Sequence, residues 1–229
     1  MQRSRSREGI GALKVRIRVA HRLGDCVRDG LHALRASHVG TVLVHAAAGG
    51  LGLIVTQWAK ALGARVIGTV GAAEEAALAI AHGADQVVLY RDEDFAEAAR
   101  AFGGGVDYAT DGIGGEVLRQ TLGAVKPFGM VASLGQVAGD PGSISLDNLG
   151  PARSNALARP SALGFMRRDT AEYRQAGEIV LERLANGLHA EIGARVPLEQ
   201  AATRIGCLKE GGPRERSSCF RSACCRKRP

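Results

Sequence analysis

No apolar run in the 229 residues approaches the roughly 18 needed to cross a bilayer, so a soluble protein is expected. The Arg-rich first residues lack the apolar stretch of a secretory signal. Few serines and the interruptions at Glu8 and Asp25 argue against an organelle transit peptide. Cysteine is sparse and lopsided: Cys26 stands alone, while Cys207, Cys219, Cys224 and Cys225 crowd the end of the chain. None forms a C-x-x-C pair and the histidine nearest the C-terminal four is His189, so zinc-knuckle spacing is missing and no metal site is expected. No disulfide framework is visible, which makes a reducing cytoplasm the expected compartment.

Basic charge is missing where a nucleic-acid binder would need it. The formal net charge is +7, but residues 1–35 hold nine Lys/Arg against three acids and residues 206–229 hold seven against two. The middle is therefore net acidic. A nucleic-acid-binding domain carries its basic residues on the folded body, so nucleic acid is not an expected partner.

What the sequence does have, from Thr41 onward, is a regular alternation of strand and helix signals. Short apolar runs at 41–46, 64–70, 85–90, 106–112 and 129–135 read as strands. Helical periodicity fills 51–63, 72–83, 93–103 and 115–125 between them, with Gly63 placed to stop the first helix. Strands separated by single helices predict an α/β fold, a doubly wound parallel sheet of the Rossmann type. After Gly135 a long Pro/Gly/Ser-bearing connection, 136–164, leads to a helix at 171–186 and a further one at 196–205. The periodicity then stops. The expected organisation is an irregular N-terminal segment at 1–38, a dinucleotide-binding domain with C-terminal helices at 39–205, and a disordered basic tail at 206–229.

The first strand-to-helix turn carries the chemistry. In "VLVHAAAGGLG", 42–52, a buried strand feeds a Gly-Gly-x-Gly turn that opens a helix. Glycine there permits a tight turn and lets backbone N–H groups approach a pyrophosphate, with the helix dipole assisting. The G-x-G-x-x-G frame reads Ala47-x-Gly49-x-x-Gly52, with Gly50 inserted and alanine at the first glycine. Taken alone, this is also what an ordinary β–α turn looks like. The strand before it, the helix it opens and the second strand at the required distance make it a phosphate cradle. The second strand ends at Val70-Gly71 with no carboxylate for a ribose 2′-hydroxyl, which mildly favours a 2′-phosphate.

The stretch "VLVHAAAGGLGLIVTQWAKALGARVIGTV", with "GADQVVLYRDEDF", "FGMVASLGQVAG", "ARPSALGFMRRDTAEY" and "GLHAEIGARVPLEQAA", resembles the quinone oxidoreductase (zeta-crystallin-like) branch of the medium-chain dehydrogenase/reductase superfamily. The resemblance runs from about Val39 to Ile205. It implies zinc-independent, NADPH-dependent reduction of a quinone or related enone, in a homodimer. By position it places Ala48, Gly49, Gly50, Leu51 and Gly52 around the pyrophosphate. Gly71, Ala72 and Tyr90 fall around the 2′-phosphate, and Leu134 and Gly135 beside the nicotinamide. It also places a further edge strand, for pairing across the dimer, at 139–150. Three departures stand out. Glu75 occupies a position where the family commonly has a lysine, which leaves NADH open. Residues 1–38 only faintly resemble the end of the GroES-like domain that shapes the quinone pocket in family members. Beyond Ile205 the family's closing strand is replaced by a segment that reads as out-of-frame translation.

Other residues carry plainer readings. Tyr90 can cap the sheet as readily as stack on a ligand. Asp111 reads first as a turn or N-cap residue, with a ligand-facing role second. His45 reads as a packed core histidine rather than an acid. A short-chain dehydrogenase would need Tyr-x-x-x-Lys, but Tyr90, Tyr108 and Tyr173 are followed four residues on by Asp94, Gly112 and Gly177. An oxidoreductase of the quinone reductase type is the leading expectation, with the catalytic residues unassigned. The alternatives are a non-catalytic nucleotide-binding remnant and an enoyl-reductase-type module.

Overall fold

A computed structural model describes residues 40–160 and 170–191. Their centre is a six-stranded, all-parallel sheet of β1 (Thr41–Val44), β2 (Arg65–Val70), β3 (Gln86–Leu89), β4 (Val106–Asp111), β5 (Val125–Ser133) and β6 (Ala156–Ala158). The spatial order is β3-β2-β1-β4-β5-β6. Helices α1 (Gly50–Ala61), α2 (Ala73–Ala81), α3 (Phe95–Gly103) and α4 (Gly115–Ala124) form the crossovers, and α5 (Thr170–Ala185) follows β6.

Both faces of the sheet are covered, which is why its strands read as continuous apolar runs. Leu43, Ile67, Val88, Ala109 and Val131 pack against Phe95 and Ala99 of α3 and Leu118 and Leu122 of α4. Their strand neighbours Val42, Val44, Val66 and Val70 face the other way, against Ala59 of α1 and Ala79 of α2. Helix α5 docks on that same side through Val180 against Ile54 and Trp58. The chain moves outward from β1 to β3, then crosses back to place β4 on the other flank of β1. That reversal opens a crevice at the carboxyl ends of β1 and β4, where doubly wound sheets hold their ligands.

Two expectations are corrected. Strand β5 begins at Val125, directly after α4, rather than at Gly129. Val106 pairs with Val125 and Tyr108 with Met130, so residues 126–129 bulge out, with Phe128 at φ 65° and its N–H on the Arg153 carbonyl. The sequence Lys-Pro-Phe-Gly forms this bulge within β5, and pairing continues on either side of it. Residues 139–150 form no strand. Gly139 and Gly142 take φ of 98° and 69°, and the Ser145 hydroxyl accepts from the Asp147 N–H to close a short 3-10 turn, Leu146–Asn148. Left-handed glycines cannot continue an extended edge. The sixth strand comes later, at Ala156–Ala158. The expected features at 1–38, 196–205 and 206–229, the cysteines included, lie outside the described residues.

Candidate functional site

The turn after β1 is built by close backbone approach. Ala46 takes φ 50° and its carbonyl receives the Gly49 N–H at 2.8 Å, while the Ala47 N–H bonds the Thr69 carbonyl at 3.0 Å. A Cβ on Gly52 would collide with the Ala46 carbonyl oxygen and sit 2.8 Å from the Ala47 Cα. Gly68 of β2 is held bare in the same way, since a Cβ there would lie 2.7 Å from the Ala47 methyl. Gly52 and Gly68 therefore serve packing. Gly50 differs: a Cβ on it would meet nothing within 4 Å.

No side chain caps α1, and its first turn holds no acid. The first N–H groups of a helix lack intrahelical partners and carry the positive end of its dipole. With Gly49 and Gly50 exposed, Ala48 and Leu51 half-buried and Gly52 buried beneath them, this end of α1 fits a pyrophosphate.

Beneath the turn lies His45, 6% exposed. The Thr121 hydroxyl donates to the Val117 carbonyl at 2.7 Å, so its oxygen is left to accept from His45 Nε2–H at 2.8 Å. Nδ1 then carries the lone pair and accepts from the Thr69 hydroxyl at 3.0 Å. Phe95 meets the ring edge-on. Burial lowers the pKa of His45 to about 4. It is a neutral core histidine, as expected, tying β1 to β2 and α4.

At the end of β2, Gly71 and Ala72 are half-buried and Tyr90 is 42% exposed. The Tyr90 hydroxyl would lie 3.1 Å from a Cβ on Gly71, so the phenol rests against the bare backbone there. The structure adds a contact for Glu75 that its position in the sequence did not show. Glu75 folds back from α2 and accepts the Gly71 N–H at 2.9 Å. The available signal was a glutamate in the first turn of a helix whose N-cap, Ala72, has no capping side chain.

Leu134 and Gly135, after β5, are fixed against the end of β4. The Leu134 N–H reaches the Asp111 carbonyl at 2.6 Å, and a Cβ on Gly135 would stand 2.6 Å from the Gly112 carbonyl oxygen. Asp111 is fully buried, and its carboxylate accepts from the N–H groups of Ile113 at 2.8 Å and Gly114 at 3.1 Å. Desolvation raises its pKa, against the lowering effect of those two bonds. Its first reading, as a turn residue, matches this geometry. Ser133, paired with Asp111 in register, buries a hydroxyl that has no hydrogen-bond partner. Nothing in the sequence signalled it. Among the described residues, no three His, Cys, Asp or Glu side chains are grouped to hold a metal ion, and no helix is long and apolar enough to cross a membrane.

A zinc-binding dehydrogenase family profile matches residues 50–182, more than half of the chain. The 2-haloacrylate reductase of a Burkholderia species is 37% identical over 166 residues, which cover 70% of this chain and 49% of that protein. A crystal structure of 2-haloacrylate reductase superimposes with a TM-score of 0.75, covering 84% of this chain and 60% of that one at 31% identity. Quinone oxidoreductase 1 of Escherichia coli is 38% identical over 148 residues, 64% of this chain and 45% of that protein. The structure of Escherichia coli quinone oxidoreductase in complex with NADPH superimposes with a TM-score of 0.64 at 31% identity, covering 80% and 55%. A putative enoyl reductase domain of a polyketide synthase gives a TM-score of 0.64 at 26% identity and is covered over 98% of its length, with 80% of this chain. The chain spans about half the length of the curated relatives it matches.

Proposed function

The chain belongs to the zinc-binding dehydrogenase family, and we propose that it forms the nucleotide-binding half of an NADPH-dependent reductase acting on a quinone or related enone. The observation that carries this reading is the uncapped N-terminus of α1 behind bare Gly49 and Gly50. Ala48 to Gly52 hold the pyrophosphate through backbone N–H groups. Gly71, Ala72 and Tyr90 hold the adenosine ribose, and Leu134 and Gly135 back the nicotinamide. When bound, the nicotinamide supplies a hydride to an electron-poor double bond. The protein's part is positioning: a cradle fixed by the Ala46 and Ala47 backbone, and a wall zipped together by the bonds of Leu134, Asp111 and Gly114.

The near-complete overlap with an enoyl reductase domain favours a second reading, reduction of an enoyl thioester. It uses the same nucleotide site and the same kind of acceptor, a conjugated carbonyl. The test is titration of the purified chain with NADPH, followed by nucleotide oxidation assays with a quinone and with an enoyl thioester. NADPH binding with faster oxidation by the quinone supports the first reading, and faster oxidation by the thioester supports the second. A folded chain that binds no nucleotide overturns both.

A further inference from the structure

The end of β2 is where a doubly wound sheet distinguishes its dinucleotides, because a carboxylate there accepts from the adenosine ribose 2′-hydroxyl. Neither Val70 nor Gly71 is an acid. The fold brings one in from four residues on: the Glu75 carboxylate sits 2.9 Å from the Gly71 nitrogen, and its own N–H bonds the Ala72 carbonyl. Beside it the Tyr90 ring lies against Gly71, and the Arg91 guanidinium carbon stands 5.8 Å from the centre of that ring. An acid, an aromatic face and a cation thus gather where the second ribose oxygen of a bound dinucleotide would fall.

We propose that Glu75 sets the choice of dinucleotide, as a resident anion that a 2′-hydroxyl can donate to and that a 2′-phosphate must repel or displace. The proposal rests on the reading of the cradle given above. Once the Gly71 N–H is engaged by Glu75, a phosphate cannot use it without breaking that bond. A phosphate of nearly two charges a few ångströms from a half-buried carboxylate loses roughly ten- to thirty-fold in affinity. Arg91 offsets part of that loss, so NADPH still binds. NADH meets no such repulsion and gains a charge-assisted hydrogen bond. The chain therefore accepts both nucleotides with affinities that differ by less than about ten-fold.

The test is a titration of the intact chain, Glu75→Gln, Glu75→Lys and Arg91→Ala with NADPH and with NADH, followed by nucleotide fluorescence, with thermal melting as the folding control. Glu75→Gln should tighten NADPH by about three- to ten-fold and weaken NADH, and Glu75→Lys should tighten NADPH by about ten-fold or more. Arg91→Ala should weaken NADPH alone. If the two nucleotides shift together in both Glu75 variants, or neither shifts, Glu75 does not face the ribose and the proposal fails while the cradle stands. If no variant binds either nucleotide, the cradle reading fails with it.

Discussion

His45 allows a calculation that the pH dependence of stability can check. Its pKa falls from 6.5 in the unfolded chain to about 4 in the fold, because burial disfavours the imidazolium. The folded-state value is the lower one, so on acidification the unfolded chain takes up the proton first. Stability is therefore complete above pH 6.5, is lost as the pH falls from 6.5 towards 4, and levels off below that. The whole swing of about 2.5 pKa units corresponds to roughly 3 kcal/mol, and about 2 kcal/mol of it is gone by pH 5. Carboxylates titrate in the lower part of the same window. The quantity to measure is thus the difference between wild type and His45→Gln in urea unfolding at a series of pH values. The variant should be less stable at pH 7, and the gap should close by about 2 kcal/mol at pH 5. A gap that stays constant between pH 7 and pH 5 would refute the buried, neutral assignment.

Two further expectations follow from the same geometry. Gly52→Ala should cost about 1–3 kcal/mol in urea unfolding, because its methyl lands on the Ala46 carbonyl and the Ala47 Cα, while Gly50→Ala should cost nothing measurable; equal costs would mean that the two glycines do not divide packing from binding. Strand β6 is the last in the sheet and pairs only with β5 among the described residues, so its outer edge is a template for a second copy. Light scattering should return the mass of a dimer, and a clean monomer would count against the expected assembly.

The core of this fold was legible because its physics is local. Strands buried on both faces leave unbroken runs such as Val42–Val44, and helix periodicity stops at glycines such as Gly63, which takes φ 85° just past the Leu62 cap. His45 could be placed in the core because it follows such a run. Strand β6 was not legible, because Ala-Leu-Ala is too short to show a period and its pairing is decided by the neighbouring Met130 to Ala132. The early start of β5 hid for a different reason: Val125 continues the apolar pattern of the helix before it, and the bulge at residues 126–129 separates it from the run that begins at Gly129. Glu75 was singled out by position, but its bond to the Gly71 N–H was not, because the carboxylate reaches the strand end from one helical turn further along. The unpartnered Ser133 hydroxyl depends on what surrounds it in three dimensions, which no sequence pattern records.

The central claim, that the turn between β1 and α1 holds a dinucleotide pyrophosphate, is tested most directly by titrating NADPH into the wild-type chain and into Gly50→Val. Around Gly50 the protein leaves room for a side chain, so the variant should fold and melt as wild type does. The valine would fill the space left for phosphate, so the account predicts saturable binding to the wild type and none to the folded variant. Equal affinity in the two would contradict it and move the nucleotide elsewhere.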